Sequence, residues 1–219
     1  MAKLAQSRVA VFGIGGVGGY AVEALARSGV GTLDLIDADT VSPSNLNRQI
    51  IALHSTLGQR KVDAAAQRIR DICPDTAVHA HELFFMPETA DQLDFSQFDY
   101  VIDAIDTVKG KLEIILRAET AGVPVISAMG AGNKLDPTML KVADIYQTKV
   151  CPLARVMRYE LRKRGVKRLK VVYSEELPVV PRRPEINGGK PVPGSVMFVP
   201  AAAGLILAGE AVRTLAQIV

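Results

Sequence analysis

The stretch RVAVFGIGGVG, residues 8–18, decides the fold class. An apolar, β-branched segment is followed directly by the pattern GxGxxG. The segment predicts a strand over Arg8–Ile14, and the glycine pattern predicts a helix over Gly16–Ser28. Glycines let the backbone turn tightly and approach a phosphate, and the helix N-terminus offers free N–H groups. The stretch predicts a nucleotide-binding turn, and the alternative is a tight strand–helix turn with no ligand.

Short apolar runs alternate with helical patterns over the rest of the first half. Strands are predicted at Thr32–Asp37, Thr76–Leu83, Tyr100–Ala104 and Val123–Ala128, and helices at Gly58–Ile72 and Thr107–Ala121. Strands joined by crossover helices form parallel sheets. We therefore predict an α/β fold with a Rossmann-like, doubly wound and mainly parallel sheet.

The pattern changes after Gly130. Strands are predicted at Leu140–Tyr146, Lys167–Tyr173 and Val196–Val199, and helices at Cys151–Arg164 and Ala201–Gln217. Five prolines and two glycines between Pro178 and Pro193 predict a mobile loop or lid. We interpret residues 1–219 as a single domain, with a nucleotide-binding core over 1–130 and a substrate-side elaboration over 131–219.

The composition fits a globular protein of the cytoplasm. The chain has 219 residues, 48% of them hydrophobic, and a formal net charge of +3. Its two cysteines, Cys73 and Cys151, argue against a disulfide framework and a four-cysteine zinc site. The uncharged stretch from Val196 to Gly209 is too short for a membrane span, so we expect a buried or subunit-interface helix.

Polar residues beyond the second strand favour a triphosphate over a dinucleotide. Asp37 follows Gly18 by 19 residues, where an acid can bind a ribose hydroxyl. Beyond it come Asp39, the run NLNRQ at residues 45–49, and Lys61. Arginine and lysine side chains suit phosphate oxygens. The alternative is a polar loop and a solvated helix start.

Two acids end the strand predicted at Tyr100–Ala104. Asp106 is a candidate Mg²⁺ ligand and Asp103 a candidate anchor behind it. The alternative for Asp106 is an N-cap of the following helix, since aspartate is a favoured cap.

These motifs together resemble the MoeB/ThiF superfamily of ubiquitin-activating-enzyme-like adenylating enzymes. The motifs that carry the resemblance are VAVFGIGGVGGYAVEALARSGVG, LIDADTV, NLNRQ, LGQRKVD and YVIDAIDTVKGK, in family order. The resemblance implies that ATP and Mg²⁺ bind, that a carboxylate is adenylated, and that Arg48, Lys61 and Asp106 are catalytic. The nucleotide-binding residues that it implies are Gly13, Gly15, Gly16, Gly18, Asp37, Asp39, Asn45, Arg48, Gln49, Lys61 and Asp106, with the metal on Asp106.

The second half resembles one branch of this superfamily, the tRNA threonylcarbamoyladenosine dehydratases. SAMGAGNKLDPTMLKVADIYQTKVCPLARVMRYELRKRGV, VVYSEELP and PGSVMFVPAAAGLILAGE carry this resemblance. It implies ATP-dependent cyclisation of threonylcarbamoyladenosine, a modified adenosine beside the tRNA anticodon, with no enzyme thioester. The sulfur-carrier branch usually has two CxxC pairs, which this sequence lacks. Cys151, before Pro152 at a predicted helix start, is either a stabilised thiolate or, as we favour, a small buried residue.

A basic strip lies between Arg155 and Lys170, with eight cationic residues and one acid, Glu160. Arg155, Arg158 and Arg162 are predicted on one helical face, where they would bind tRNA. The alternative is an ordinary solvated face. Nearby aromatic residues are few, so base readout is not evident.

Three further features complete the predictions. His79 and His81 share one strand face and are interpreted as surface histidines rather than metal ligands. The run Ala201–Gly204 is interpreted as a core or homodimer contact. Relatives normally have an arginine segment before the first strand, and Arg8 is too close to the strand to match it. Either the chain is a shortened form, or another basic residue substitutes for that arginine, and full catalytic competence depends on this.

The leading hypothesis is an ATP-dependent, tRNA-modifying homodimer. The first alternative is adenylation of the C-terminal glycine of a ubiquitin-like sulfur carrier. The second is a non-catalytic nucleotide- or tRNA-binding module, and a dehydrogenase comes last.

Overall fold

A seven-stranded sheet forms the centre of the molecule in the computed structural model, which describes residues 2–180, 186–187, 190–191 and 193–218. Its strands are β1 Arg8–Phe12, β2 Thr32–Ile36, β3 Ala77–His81, β4 Tyr100–Asp103, β5 Val125–Ala128, β6 Leu140–Asp144 and β7 Lys170–Ser174. The spatial order is β3-β2-β1-β4-β5-β7-β6. All neighbours are parallel except β6, which pairs antiparallel with β7 at one edge.

Helices cover the sheet. They are α1 Ala2–Gln6, α2 Gly18–Arg27, α3 Lys61–Ile72, α4 Val108–Ala121, α5 Pro152–Lys163 and α6 Phe198–Ala216. A further two-stranded ribbon pairs β8 Ile186–Asn187 with β9 Lys190–Pro191. The first five sheet strands have the order of a dinucleotide-binding fold, which reverses direction between β1 and β4 and leaves a crevice there. The predicted fold class is therefore confirmed.

The strands β1, β4 and β5 are apolar because both of their faces are covered. Three clusters of buried side chains form the core, one around β1, α2, α3 and α6, one around α5 and β7, and one around Phe12, Phe85 and Phe95. The sheet continues without a break from β5 into β7 and β6. The division into a core and a substrate-side elaboration stays an interpretation.

Helix α6 packs closely on α2 through a glycine. A Cβ on Gly204 would lie 2.2 Å from the Val17 carbonyl oxygen, so only glycine fits there. Ala201 and Ala203 are also buried. The run Ala201–Gly204 therefore makes a core contact within the chain. By length and composition α6 also resembles a membrane span, with a mean hydropathy of 1.4, as core helices of soluble proteins often do.

Two elements differ from the sequence prediction. The strand predicted at Val196–Val199 is wrong, because α6 already begins at Phe198. Pro200 falls in the first turn of that helix, where no backbone N–H is needed. The short helix α1 was not predicted. A Cβ on Gly31 would lie 1.9 Å from the Ala5 carbonyl oxygen, which shows how closely α1 packs.

Most other boundaries differ from the predicted ones by one to three residues. Half of the predicted lid over Pro178–Pro193 lies outside the described residues, so its mobility stays a prediction.

Candidate functional site

A cleft of about 730 Å³ opens at the carboxyl ends of β1, β2, β4 and β5. Open α/β sheets bind ligands at this edge. The lining includes the predicted site residues Gly13, Gly15, Gly16, Asp37, Asp39, Asn45, Arg48, Gln49, Lys61 and Asp106. The fold thus brings together ten of the eleven residues predicted to contact the nucleotide.

The glycine loop divides into packing positions and open positions. Gly13 has φ +86°, and a Cβ there would lie 2.8 Å from the Ala104 carbonyl oxygen. A Cβ on Gly18 would lie 1.7 Å from the Gly13 carbonyl oxygen, and Gly18 does not line the cleft. Gly18 therefore allows α2 to pack at the end of β1, which departs from the expectation that it lies against phosphate.

Gly15 and Gly16 are different, because a Cβ on either would meet protein atoms only at ordinary contact distances of 3.5 Å or more. Packing within the chain does not require glycine at these two positions. Both line the cleft at the start of α2. A backbone without side chains here suits the close approach of a phosphate.

The Asp37 carboxylate joins the glycine loop to the loop after β2. It accepts hydrogen bonds from the backbone N–H of Ile14 at 2.7 Å and of Asp39 at 2.8 Å. Burial raises the pKa of Asp37, and the positive charge of Lys61 partly opposes this shift. Lys61 Nζ lies 4.0 Å from Asp37 and 2.6 Å from Asp39. A rigid acid beside a cation fits the binding of a ribose next to phosphates.

The NLNRQ segment supplies further polar groups to the cleft beside the glycine loop. The Asn45 side chain accepts a hydrogen bond from the Ser42 N–H at 3.0 Å and so fixes the turn. The Arg48 guanidinium donates to the Ser44 carbonyl oxygen at 2.7 Å. Gln49 Oε1 is buried with no hydrogen-bond partner among the described residues. Buried polar atoms are nearly always paired, so this atom fits a site that a ligand completes.

Asp106 is exposed at the cleft and does not cap α4. The N-cap residue is Thr107, and the one contact found for Asp106 is the Thr107 hydroxyl at 3.4 Å. The capping alternative is therefore wrong. No group of three or more metal-binding side chains occurs in the described parts of the chain. The donor set thus fits Mg²⁺ held by one carboxylate with phosphate oxygens and waters as the other ligands.

Behind Asp106 lies a fully buried ion pair. Lys111 Nζ donates to Asp103 at 2.9 Å, to Ser127 Oγ at 3.2 Å and to the Ala128 carbonyl oxygen at 2.8 Å. The Ile105 N–H lies 3.3 Å from the other Asp103 oxygen. The network connects the ends of β4 and β5, from which both adjoining loops enter the cleft. The role of Asp103 behind a metal ligand stays a prediction, and its partners Lys111 and Ser127 were not predicted.

Sequence reasoning also missed two residues in the cleft wall. Phe84 is 60% exposed and lines the cleft. Lys134 is 2% exposed, and its ammonium donates to the Glu176 carbonyl oxygen. The signal for Phe84 was its place just after β3, at the ligand-binding edge of the sheet. For Lys134 the signal was its position after the glycines that follow β5.

Several predicted residues lie away from the cleft. Arg8 binds the buried Asp34 carboxylate at the opposite end of β1, so it does not reach the nucleotide region. His81 Nε2 lies 2.9 Å from the same carboxylate, which agrees with a structural histidine. His79 is exposed on the same strand.

Cys151 is 2% exposed and packs in the hydrophobic cluster around α5, although it reaches the cleft wall. The favoured interpretation as a small buried residue agrees with this position. Arg155 and Arg162 are exposed on α5. Arg158 is half-buried and donates to the Thr148 carbonyl oxygen at 3.0 Å, so its charge is used within the chain.

The sequence matches the ThiF family over residues 1–218. The chain belongs to the ThiF family. A tRNA threonylcarbamoyladenosine dehydratase of Bacillus subtilis is 45% identical over 223 residues, which cover 97% of this chain and 88% of that protein. The Escherichia coli protein of that name is 41% identical over 158 residues, which cover 72% of this chain and 59% of the relative. The predicted superfamily and branch are confirmed.

Solved structures agree with this assignment. The E. coli tRNA N6-threonylcarbamoyladenosine dehydratase in complex with AMP matches this ThiF-family chain with a TM-score of 0.89 at 34% identity. The same protein in complex with ATP gives 0.88, also at 34% identity. Each match covers 98% of this chain and 87% of the solved one. E. coli MccB, at 16% identity and a TM-score of 0.68 over 99% of this chain and 58% of that one, shows the fold alone.

Proposed function

We propose that this protein is an ATP-dependent tRNA threonylcarbamoyladenosine dehydratase. One observation carries the proposal: two glycines with open space beside them, two cations and an exposed carboxylate all line one cleft. Gly15–Gly16, Arg48 with Lys61, and Asp106 all line it. Relatives that share this fold along the whole chain carry the name of that activity.

ATP is the proposed nucleotide. The Gly15 and Gly16 backbone would face its phosphates, and Asp37 would accept a hydrogen bond from a ribose hydroxyl. Asn45, Arg48, Gln49 and Lys61 would hold the triphosphate. Gln49 supports this assignment because its buried oxygen has no hydrogen-bond partner among the described residues.

Mg²⁺ is the proposed metal, held by Asp106. When bound, it supplies charge neutralisation to phosphate oxygens and a template for their orientation. The Lys111–Asp103 network would keep the Asp106 turn in place, because Asp103 also faces the Ile105 N–H.

The proposed reaction has two steps. The threonyl carboxylate of the modified adenosine attacks the α-phosphorus of ATP, and pyrophosphate leaves. The ureido nitrogen of the same nucleoside then attacks the activated carbonyl carbon, loses its proton, and AMP leaves. The net change in the nucleoside is the loss of one water. The protein supplies no nucleophile, so catalysis rests on positioning and on the charges of Arg48 and Lys61.

The proposal also covers the tRNA-binding surface, the oligomeric state and the cellular location. The basic surface of α5, with Arg155 and Arg162, would face tRNA, while Arg158 supports it from within. A homodimer would form through apolar side chains that α6 leaves exposed, such as Phe198 and Leu205. The proposed work on tRNA with ATP supports a cytoplasmic location.

Turnover with defined substrates tests the activity. The protein is incubated with ATP, Mg²⁺ and tRNA carrying threonylcarbamoyladenosine, and AMP release and nucleoside mass are measured. We expect AMP and a nucleoside lighter by one water. AMP formed only with a sulfur-carrier protein would support the alternative enzyme, and ATP binding without turnover would support a binding module.

A further inference from the structure

Helix α5 leads from the cleft to the outer surface. Cys151, Pro152 and Leu153 line the cleft at its N-terminal end, whereas residues 155–163 do not. A helix of 12 residues is about 18 Å long. A large substrate with its reactive group in the cleft therefore has this helix beside it.

One face of α5 carries an aromatic ring between two cations. Arg155, Tyr159 and Lys163 are exposed and spaced four residues apart, so they form one stripe along the helix. Tyr159 is 59% exposed. Lys163 Nζ lies 4.1 Å from the centre of the Tyr159 ring. In the described structure, neither Arg155 nor Lys163 forms an ion pair.

Two other basic residues nearby are engaged within the chain. Arg158 donates to Thr148, and Arg164 pairs with Glu160. The Arg162 guanidinium is exposed and lies 5.3 Å from the Tyr146 ring centre. Arg155, Lys163 and Arg162 therefore remain cations of α5 that a partner can reach.

An exposed aromatic ring with flanking cations fits unpaired nucleotides. Bases stack on tyrosine, and arginine and lysine neutralise the neighbouring phosphates. We propose that Arg155, Tyr159 and Lys163 form a docking stripe for the anticodon loop, with an unpaired base stacked on the Tyr159 ring face opposite the Lys163 ammonium. This inference rests on the proposed function and assigns its RNA contacts. The charge favours RNA, because the single acid between residues 155 and 170 is the paired Glu160.

Binding of an anticodon stem-loop that carries threonylcarbamoyladenosine tests the stripe, with fluorescence anisotropy as the measurement. Tyr159→Ala should raise the Kd about tenfold or more, because stacking is lost. Tyr159→Trp should stay close to the wild type, since it keeps an aromatic face. Arg155→Ala and Lys163→Ala should each weaken binding and reduce the salt dependence by about one counterion. The Kd for ATP should not change in any of these variants.

Arg117→Ala is the matched control, because Arg117 lies on α4 and pairs with Glu113 and Asp91. It should leave the Kd for RNA unchanged. An unchanged Kd in Tyr159→Ala overturns the docking stripe even if the wild type remains an active dehydratase. If the wild type instead turns over only with a carrier protein, both the stripe and the proposed function are overturned. Should Tyr159→Ala lower carrier-dependent AMP release, the stripe is a protein-binding surface.

Discussion

The Asp106 carboxylate has no structural role within the described part of the chain, which is why it is a candidate ligand-binding group. Its oxygens cap no helix and contact only the Thr107 hydroxyl among the described residues. An aspartate with a purely structural role at this position would accept a backbone N–H, as Asp94 does from Ser96 at 3.0 Å. The two aspartates therefore provide a matched pair for separating function from stability.

Asp106→Asn should lower AMP formation by about a hundredfold or more, because the charge that would hold the metal is lost. Its Tm should stay that of the wild type, since no capping bond is removed. Asp94→Ala should show the opposite pattern, with a lower Tm and unchanged activity, because the bond from the Ser96 N–H is lost. Calorimetry and an AMP assay measure both quantities. A large Tm loss with full activity in Asp106→Asn would refute the assignment.

Lys111 is expected to be structurally essential because its charge is fully buried beside Asp103. Lys111→Met should cost about 3–5 kcal/mol, since it leaves a buried carboxylate without its partner. The double variant Asp103→Ala/Lys111→Met should be more stable than Lys111→Met alone, because no unpaired charge remains. Urea unfolding measures the difference. Equal stability of the two variants would mean that the carboxylate is not the source of the cost.

These residues show which parts of the site could be predicted from the sequence. Asp37 and Asp106 were found because each follows an apolar strand, and the ends of parallel strands meet at one edge. Lys111 was missed because a lysine on a helix is usually exposed. Its burial depends on how α4 packs against the sheet, which the sequence does not show. The difference between the packing glycines and the open glycines was missed for a related reason. Only the packing of α2 against β1 distinguishes Gly18 from Gly16.

At the scale of elements, α6 contains two glycines with opposite roles. A Cβ on Gly204 would lie 2.2 Å from the Val17 carbonyl oxygen, whereas a Cβ on Gly209 would meet only the Arg213 side chain at 3.7 Å. The helix can approach α2 only at the first position. Helix propensity alone therefore does not determine the effect of substitution at either glycine.

Gly204→Ala should destabilise the protein by about 1–3 kcal/mol, because α6 and α2 must move apart. Gly209→Ala should be neutral or stabilise by up to about 1 kcal/mol, since alanine is the better helix former. Denaturant titration of both variants checks the pair. Equal effects at the two glycines would show that the α2–α6 contact adapts without cost.

Elements were predictable where one pattern dominates the sequence. The strands β1, β4 and β5 are short apolar runs, and their predicted positions overlap the observed ones. The segment from Val196 to Val199 has the same local character, yet its second half belongs to α6. The residues that follow this segment determine its structure, because the small residues after Pro200 favour a helix that packs on α2.

At the scale of the whole molecule, α6 leaves part of its surface without a partner. Leu205 is 50% exposed and Phe198 63% exposed, and their spacing of seven residues puts them on one side of the helix. We expect this side to form the proposed homodimer contact.

Leu205→Arg should convert a wild-type dimer into a monomer, because a charge would be buried at the contact. Leu53→Arg is the matched control, since Leu53 is 52% exposed outside α6. It should leave the dimer intact. Sedimentation equilibrium gives the mass of each variant. A wild-type monomer, or a dimer that persists in Leu205→Arg, would rule out this contact.

The residues that line the cleft fall into two groups. Residues 13–61 and 83–107 supply the glycine loop, Asp37 and Asp106, while residues 128–134 and 151–153, with Pro178 and Pro193, form a second wall. None of the residues proposed to hold ATP and Mg²⁺ belongs to this second wall. Natural selection can therefore change which carboxylate is activated without rebuilding the machinery that activates it. Directed evolution of a new acceptor specificity would best begin with libraries confined to the second wall.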